Sequence, residues 1–257
     1  MGTRDEGKRP LTAKERRQRE LRRKRRRKKK MIRLAIIVSM AILAIALIAF
    51  IVYMAVKLVG GRVSGEEPIK PKGETFVIML DAGHGGADIG LSNGELEEKT
   101  VTMDIIGKLQ VMLESNGYQV VLTRADDSRL SKEERVQAVK ESQADLLVSV
   151  HLNYSEDESA SGIETYYRKG SDQSKLLADK VLASAVAETE AKDGGAHTGA
   201  FTILNDVEIP AVLVEVGYAS NAREAGSLTD DSYQNLAAKG IAKGIIRSLD
   251  LEEEDKE

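Results

Sequence analysis

Apolar and polar positions follow three different rhythms along the chain. Residues 1–33 show no apolar period at all and read as disordered. Leu34 to Val56 is an unbroken run of 23 uncharged residues between Arg33 and Lys57. From Thr75 onward, short apolar runs alternate with segments of helical spacing. The runs Phe76–Asp81, Tyr118–Thr123, Asp145–His151, Gly162–Tyr167, Phe201–Leu204 and Ala211–Val216 predict strands. Between them, Glu98 to Ser115 puts Val101, Ile105, Ile106, Leu109 and Leu113 on one helical face and stops at Asn116-Gly117. Ser131-Lys-Glu-Glu134 has the form of a capping box opening a helix to about Ser142. Ser171 to about Ala191 gathers Leu176, Leu177, Val181, Leu182 and Val186 on one side, and Asp231 to Leu249 forms a closing helix. Strands alternating with helices predict an α/β fold: a mostly parallel central sheet flanked by helices, preceded by one transmembrane helix.

The long apolar run sets the expected organisation. At a rise of about 1.5 Å per residue it reaches roughly 35 Å, enough to cross a hydrocarbon core of about 30 Å. A buried helix of a water-soluble domain is the plain alternative, but the length and charged flanks argue against it. A cleaved signal peptide has an apolar region of about 7–15 residues and a small-residue cleavage site; this run is longer and no such site follows. The expected domains are a basic tail (1–33), a transmembrane anchor (34–56), a linker (57–74), a catalytic domain (75–251) and an acidic tail (252–257).

Charge sharpens that division. The formal net charge of −3 conceals 17 Lys/Arg against 4 Asp/Glu in residues 1–33, and 21 against 37 in the remainder. Cytoplasmic flanks of membrane spans carry the excess of Lys/Arg. The expectation is therefore a single-pass protein of the cell membrane, with its N-terminus cytoplasmic and residues after 57 extracytoplasmic. A nucleic-acid arm is the competing reading of the basic run. It lacks interleaved aromatics, and no nucleic-acid partner is expected. The absence of cysteine excludes disulfides and thiolate metal sites, so any metal must use His, Asp or Glu.

Only three histidines are present. Two of them end strands: Leu80-Asp-Ala-Gly-His84 and Val148-Ser-Val-His151. In parallel sheets, sites gather outside the carboxyl ends of the strands, so the two can converge. Glycine-rich sequence around His84 allows a tight bend and close approach. The loop that follows returns to a helix start with Glu95, Glu97 and Glu98 on offer. Two imidazoles and one carboxylate form a common catalytic zinc set with an open position for water, whose pKa the ion lowers toward about 7. Glu215 is a lone acid inside the apolar strand Pro210-Ala-Val-Leu-Val-Glu-Val-Gly217. A buried carboxylate needs a partner or a raised pKa, which makes Glu215 a candidate acid/base.

These stretches carry a resemblance. Leu80-Asp-Ala-Gly-His-Gly-Gly-Ala-Asp88, Glu98-Lys99 at a helix start, Leu122-Thr-Arg124, Ala144-Asp-Leu-Leu-Val-Ser-Val-His-Leu-Asn153, Ser161-Gly-Ile-Glu-Thr-Tyr-Tyr167 and Ile209-Pro-Ala-Val-Leu-Val-Glu-Val-Gly-Tyr-Ala-Ser-Asn221 occur in one order over roughly residues 75–250. In these the chain resembles the zinc-dependent N-acetylmuramoyl-L-alanine amidases, which cut peptidoglycan between the muramic acid lactyl group and the first alanine of the stem peptide. The resemblance implies Zn2+ as cofactor, His84, Glu98 and His151 as its ligands, Glu215 as the catalytic acid/base and peptidoglycan as partner. It selects Glu98 among the three glutamates. Asn153 and His197 are expected substrate contacts, and Asp81 is expected to orient His84 as a hydrogen-bond acceptor.

The chain departs from that family at two places. Ala82 stands where the family usually has proline, at the cost of some stiffness. Asn205 stands near the family's usual arginine, so that arginine's substrate contact is not carried over. The interval Ser161–Phe201 is filled by one strand and one helix, leaving no room for the inhibitory helix of some relatives.

Plainer readings exist for each residue. His84 can be a turn residue, His151 a satisfied core histidine, Glu98 a helix-start carboxylate favoured by the dipole, and Glu215 a member of a structural ion pair. His197, in the loop Asp193-Gly-Gly-Ala-His-Thr198, reads most simply as solvated. A dinucleotide loop at Gly83–Gly90 fails because Asp88 takes the place of the last glycine of G-x-G-x-x-G. The rival function is a catalytically silent cell-wall-binding or scaffold protein.

Overall fold

Two faces of one sheet are covered unequally, and that inequality places the chemistry. The computed structural model describes residues 75–249. In chain order they form β1 (Val77–Ala82), a small hairpin of β2 (Ser92–Asn93) and β3 (Leu96–Glu97), α1 (Glu98–Ser115), β4 (Gln119–Leu122), α2 (Lys132–Glu141), β5 (Leu146–Asn153), β6 (Ile163–Tyr167), α3 (Asp172–Thr189), β7 (Asp193–Thr198), α4 (Thr202–Asn205), β8 (Ala211–Tyr218), α5 (Ala222–Leu228) and α6 (Asp231–Leu249). The main sheet has the order β4-β1-β5-β8-β6-β7. Its pairings are parallel except that of β6 with β8, which is antiparallel. The sheet is thus mixed but mostly parallel.

Alternation along the central strands decides what lies on each face. Ile78 and Leu80 of β1, Leu146, Val148 and Val150 of β5, and Val212, Val214 and Val216 of β8 all join the larger core. That core is completed by Val101, Ile105, Ile106, Leu109 and Leu113 of α1, Leu177 and Val181 of α3, and Ile241 and Ile245 of α6. Each fully buried side chain of this size contributes about 1.5–3 kcal/mol. The alternate positions Met79, Leu147, Ala211 and Leu213 meet a smaller core with Val136 and Val139 of α2 and Ile203 and Leu204 of α4. Toward the carboxyl ends of the strands the apolar residues of this second face give way to Asp81, Ser149, His151 and Glu215.

The helix starts follow local chemistry. Ser131 accepts a hydrogen bond from Glu134 N while Glu134 accepts one from Ser131 N, completing the capping box at α2. Asn221 caps α5 through Arg223 N and Glu224 N. Several elements differ from the sequence pattern, among them the hairpin β2–β3 in what reads as a loop. Phe201–Leu204, expected as a strand, supplies Phe201 as N-cap and one helical turn, α4, because Ile203 and Leu204 are drawn into the smaller core. Asp193–Thr198, expected as a loop, is the edge strand β7, paired with β6. α5 was not anticipated.

The expected transmembrane helix needs correction. Among the described residues no helix is long and apolar enough to cross a membrane. The reason is charge: α6 carries Asp231, Lys239, Lys243 and Arg247, and α1 carries Glu98, Lys99, Asp104, Lys108 and Glu114. The stretch 34–56 lies outside the described residues, as do the basic tail, the linker and the acidic tail. No described element supports the anchor, or the membrane partner, single-pass topology and cell-membrane localisation that rested on it.

Candidate metal centre

The turn after β1 is the first wall of the site. Asp81 pairs with Ser149, and His151 pairs with Glu215, across neighbouring parallel strands. His84 follows in a left-handed conformation (φ 59°), unusual for a residue with a β-carbon. Gly83 is required beside it: a β-carbon there would lie 2.5 Å from Cε1 of His151. Gly90 is required on the other side, where a β-carbon would lie 2.6 Å from Glu98 Oε2 and 2.7 Å from His84 Cδ2. These two glycines clear the volume that the three side chains occupy.

Glu98 sits at the middle. As the first residue of α1 it is buried, and it reaches both histidines. Its Oε2 is 3.2 Å from His84 Nε2 and its Oε1 is 3.0 Å from His151 Nδ1. Leu91 N donates to Oε2 at 2.9 Å and Leu152 N to Oε1 at 3.0 Å, so backbone fixes the plane of the carboxylate. The two imidazole rings are 5.3 Å apart and nearly perpendicular. One ligand atom from each of His84, Glu98 and His151 lies within 4.8 Å of the others. Glu95 and Glu97, the alternatives at the helix start, do not join this cluster.

Electrostatics binds the three together. Burial opposes ionisation of Glu98, but hydrogen bonds from His151 and His84, the His151 charge and the Leu91 N–H outweigh it and hold the carboxyl well below its usual range. His84 is raised, first by its hydrogen bond to Glu98 and against burial. His151 is raised although burial opposes it, through Glu98, Glu215 and Asp81. Two imidazole nitrogens and a buried carboxylate converging in this way form a donor set that fits a divalent metal ion. His84 Nδ1 lies 2.9 Å from Asp88 Oδ1, which fixes the ring and leaves Nε2 facing the cluster.

Asp81 does not play the part expected of it. Its Oδ1 accepts from Thr123 Oγ1 and Arg135 Nη1, each at 2.6 Å, and its Oδ2 accepts from Ser149 Oγ at 2.6 Å. It makes no hydrogen bond to His84; Asp88 holds that ring. Asp81 acts one step removed, because Arg135 also donates to the carbonyls of Ala82 (2.8 Å) and His84 (2.6 Å). Arg124 donates to the carbonyls of Ala82 (3.0 Å) and Gly83 (2.9 Å). Two buried arginines therefore hold the metal turn by its backbone oxygens.

Glu215 lies beside His151 with its Oε2 buried and without a hydrogen-bond partner. Burial, assisted by the negative charges of Glu98 and Glu164 and opposed by His151 and His84, pushes its carboxyl up to about 7. Glu164, the register partner of Glu215 on β6, escaped the sequence reading. It accepts hydrogen bonds from Tyr166 Oη (2.6 Å), Tyr218 Oη (2.6 Å) and Asn153 Nδ2 (3.1 Å). Alternation within Gly162-Ile-Glu-Thr-Tyr166 was the available signal, since Glu164 and Tyr166 share a face. His197 is on the exposed edge of β7, its Nε2 2.9 Å from Gly194 O and its ring 5.7 Å from that of Tyr166.

An orphaned acid beside two converging histidines and a carboxylate, at the carboxyl edge of a mostly parallel sheet, marks a metal-dependent hydrolase. Comparison with known proteins narrows the class. Residues 78–247 match the Amidase_3 family, N-acetylmuramoyl-L-alanine amidase. The chain is 36% identical over 176 residues to the N-acetylmuramoyl-L-alanine amidase LytC of Bacillus subtilis, covering 68% of this chain and 35% of LytC. It is 35% identical over 181 residues to the uncharacterized protein YqiI of Bacillus subtilis, covering 70% of this chain and 85% of that one. The crystal structure of an N-acetylmuramoyl-L-alanine amidase from Clostridium difficile 630 superposes with a TM-score of 0.67 at 34% identity, covering 70% of this chain and all of that one. The chain belongs to the N-acetylmuramoyl-L-alanine amidase family, enzymes that hydrolyse the amide between N-acetylmuramic acid and L-alanine in peptidoglycan. It spans about a third of the length of LytC.

Proposed function

We propose that this chain cleaves the lactyl–L-alanine amide of peptidoglycan with zinc held by His84, Glu98 and His151, and with Glu215 as the proton carrier. The family match supports the reaction. The observation that carries the assignment of roles is the unpartnered Oε2 of Glu215, buried on the same face as His151. Bound zinc supplies Lewis acidity, acidifying water and polarising a carbonyl.

This chain's own residues do the rest. Glu98 is locked by Leu91 N and Leu152 N, and Asp88 holds the His84 ring, so the donor set is preorganised. Glu215 Oε2 accepts a proton from the attacking water and delivers it to the alanine nitrogen. A C–O bond forms at the lactyl carbonyl carbon, the C–N bond breaks, and a free carboxyl and a free amine leave. A group that both takes and gives a proton works best with a pKa near the working pH, and burial places Glu215 at about 7. Asn153, held by Glu164 beside β8, and His197, on β7, are assigned to substrate contact. The catalytic domain is assigned to residues 75–251.

The test is product analysis. The full chain, stripped with chelator and reloaded with zinc, is incubated with a defined muropeptide. The expected products are a muramoyl species with a free lactyl carboxyl and a stem peptide with a free alanine amine, both absent without metal. Intact muropeptide after zinc reloading contradicts the proposal.

A further inference from the structure

A cavity of ≈ 210 Å³ opens beside His84 and His151. Its lining includes apolar side chains, Leu130, Phe201, Ile203 and Leu213, and charged ones, Asp81, Asp88, Lys132 and Arg135. Three of those four charges are already matched within the protein. Asp81 and Arg135 pair at 2.6 Å, and Asp88 pairs with His84 at 2.9 Å. Lys132, exposed at the first position of α2, has no ion pair or side-chain hydrogen bond among the described residues. A lysine at that end of a helix also gains nothing from the helix dipole. Its placement is not explained by the stability of α2.

An unmatched cation on the wall of a reaction cavity recognises an anion on the substrate. On the sugar side, N-acetylmuramic acid has one acid, the lactyl carboxyl, and that group is consumed in the scissile amide. The anion must then lie on the peptide side, with aliphatic peptide atoms free to meet the apolar lining residues. We propose that Lys132 binds a stem-peptide carboxylate close to the scissile bond and makes the enzyme prefer stems with that carboxyl free over stems in which it is a primary amide. This deepens the amidase reading and rests on it.

The experiment compares two muramoyl peptides that differ only in whether the carboxyl of the second stem residue is free or amidated, using zinc-loaded full chain. Wild type is expected to favour the free acid about fivefold in kcat/KM, the scale of one partly exposed charge-assisted pair. Lys132→Ala is expected to raise KM for the acid by that factor, leave the amide and kcat unchanged, and erase the preference. Lys132→Arg keeps the preference and Lys132→Glu inverts it. Added salt shrinks the preference in wild type and Lys132→Arg and leaves Lys132→Ala, which has none, unaffected. Equal loss on both substrates, an unchanged preference in Lys132→Ala, or no preference in wild type overturns the role of Lys132. Wild type that cleaves neither substrate overturns the amidase reading itself, a separate and recognisable result. An unchanged thermal midpoint confirms that the variants fold.

Discussion

Replacing Asp81 by Asn removes one negative charge from the buried anchor of the metal turn with almost no change of shape. Asp81 is 0% and Arg135 7% exposed, so neither charge is relieved by water. In the variant the side-chain oxygen can still accept from Thr123 and Arg135. The Ser149 hydroxyl can rotate to accept from the new amide. What is lost is the counter-charge to Arg135, which keeps the carbonyls of Ala82 and His84 as neutral acceptors. Breaking a buried pair from one side costs about 3–5 kcal/mol, and the surviving hydrogen bonds put this case at the lower end, about 3 kcal/mol. At about 2–4 °C per kcal/mol for a domain of this size, the melting midpoint should fall by about 6–12 °C.

The pH dependence carries the sign. Burial opposes ionisation of Asp81, but the charges of Arg135 and His151 and the hydrogen bonds from Ser149 and Thr123 outweigh it and hold the carboxyl below its ordinary value. Its stabilisation is therefore fully present above the unfolded value of about 3.9 and is lost as pH falls through the folded value. Thermal unfolding is measured in chelator, so that metal linkage does not contribute, at neutral pH and in steps down toward about pH 3. The gap between wild type and Asp81→Asn should be widest at neutral pH and should narrow as the pH falls below about 4. A gap below about 1 kcal/mol at neutral pH, or one that widens in acid, refutes the view that Asp81 and Arg135 together brace the turn.

Two other substitutions separate the site from its scaffold. Gly83→Ala places a β-carbon within 2.9 Å of three His151 ring atoms; metal titration should show affinity reduced about 10- to 100-fold, the scale of disturbing a ligand's support, and wild-type affinity speaks against the assigned packing. Ser131→Ala removes the α2 cap seen with Glu134; chemical denaturation should show a loss of about 0.5–2 kcal/mol with kcat unchanged.

The sequence pattern exposed the parts of the fold that obey a single local rule. β1, β5 and β8 are apolar because both faces of the central sheet are covered, and α1 shows its period because Val101, Ile105, Ile106, Leu109 and Leu113 meet one core. Four-residue pieces gave no such warrant. Phe201-Thr-Ile-Leu reads equally as strand or as one helical turn, and contact with the smaller core decides it. β7 is Asp-Gly-Gly-Ala-His-Thr, poor strand material, extended because β6 offers its edge. At the site, the spacing that ends β1 and β5 in histidines exposed two donors, but spacing left three glutamates open; the hairpin β2–β3 and the start of α1 turn Glu98 inward. Asp81 and Asp88 could not be told apart from sequence, because which one reaches the His84 ring depends on the left-handed turn at His84 and the bridge between Gly85 and Asp88.

The division of labour between ligands and proton carrier is tested most directly by Glu215→Gln. The amide is nearly isosteric and sits where Oε2 has no partner to lose. Zinc per chain and kcat on a defined muropeptide are measured on the same preparation. Zinc content equal to wild type with kcat reduced about 10²- to 10⁴-fold is the predicted result. Near-wild-type turnover at full zinc occupancy would contradict the assignment of Glu215 as the group that moves the proton.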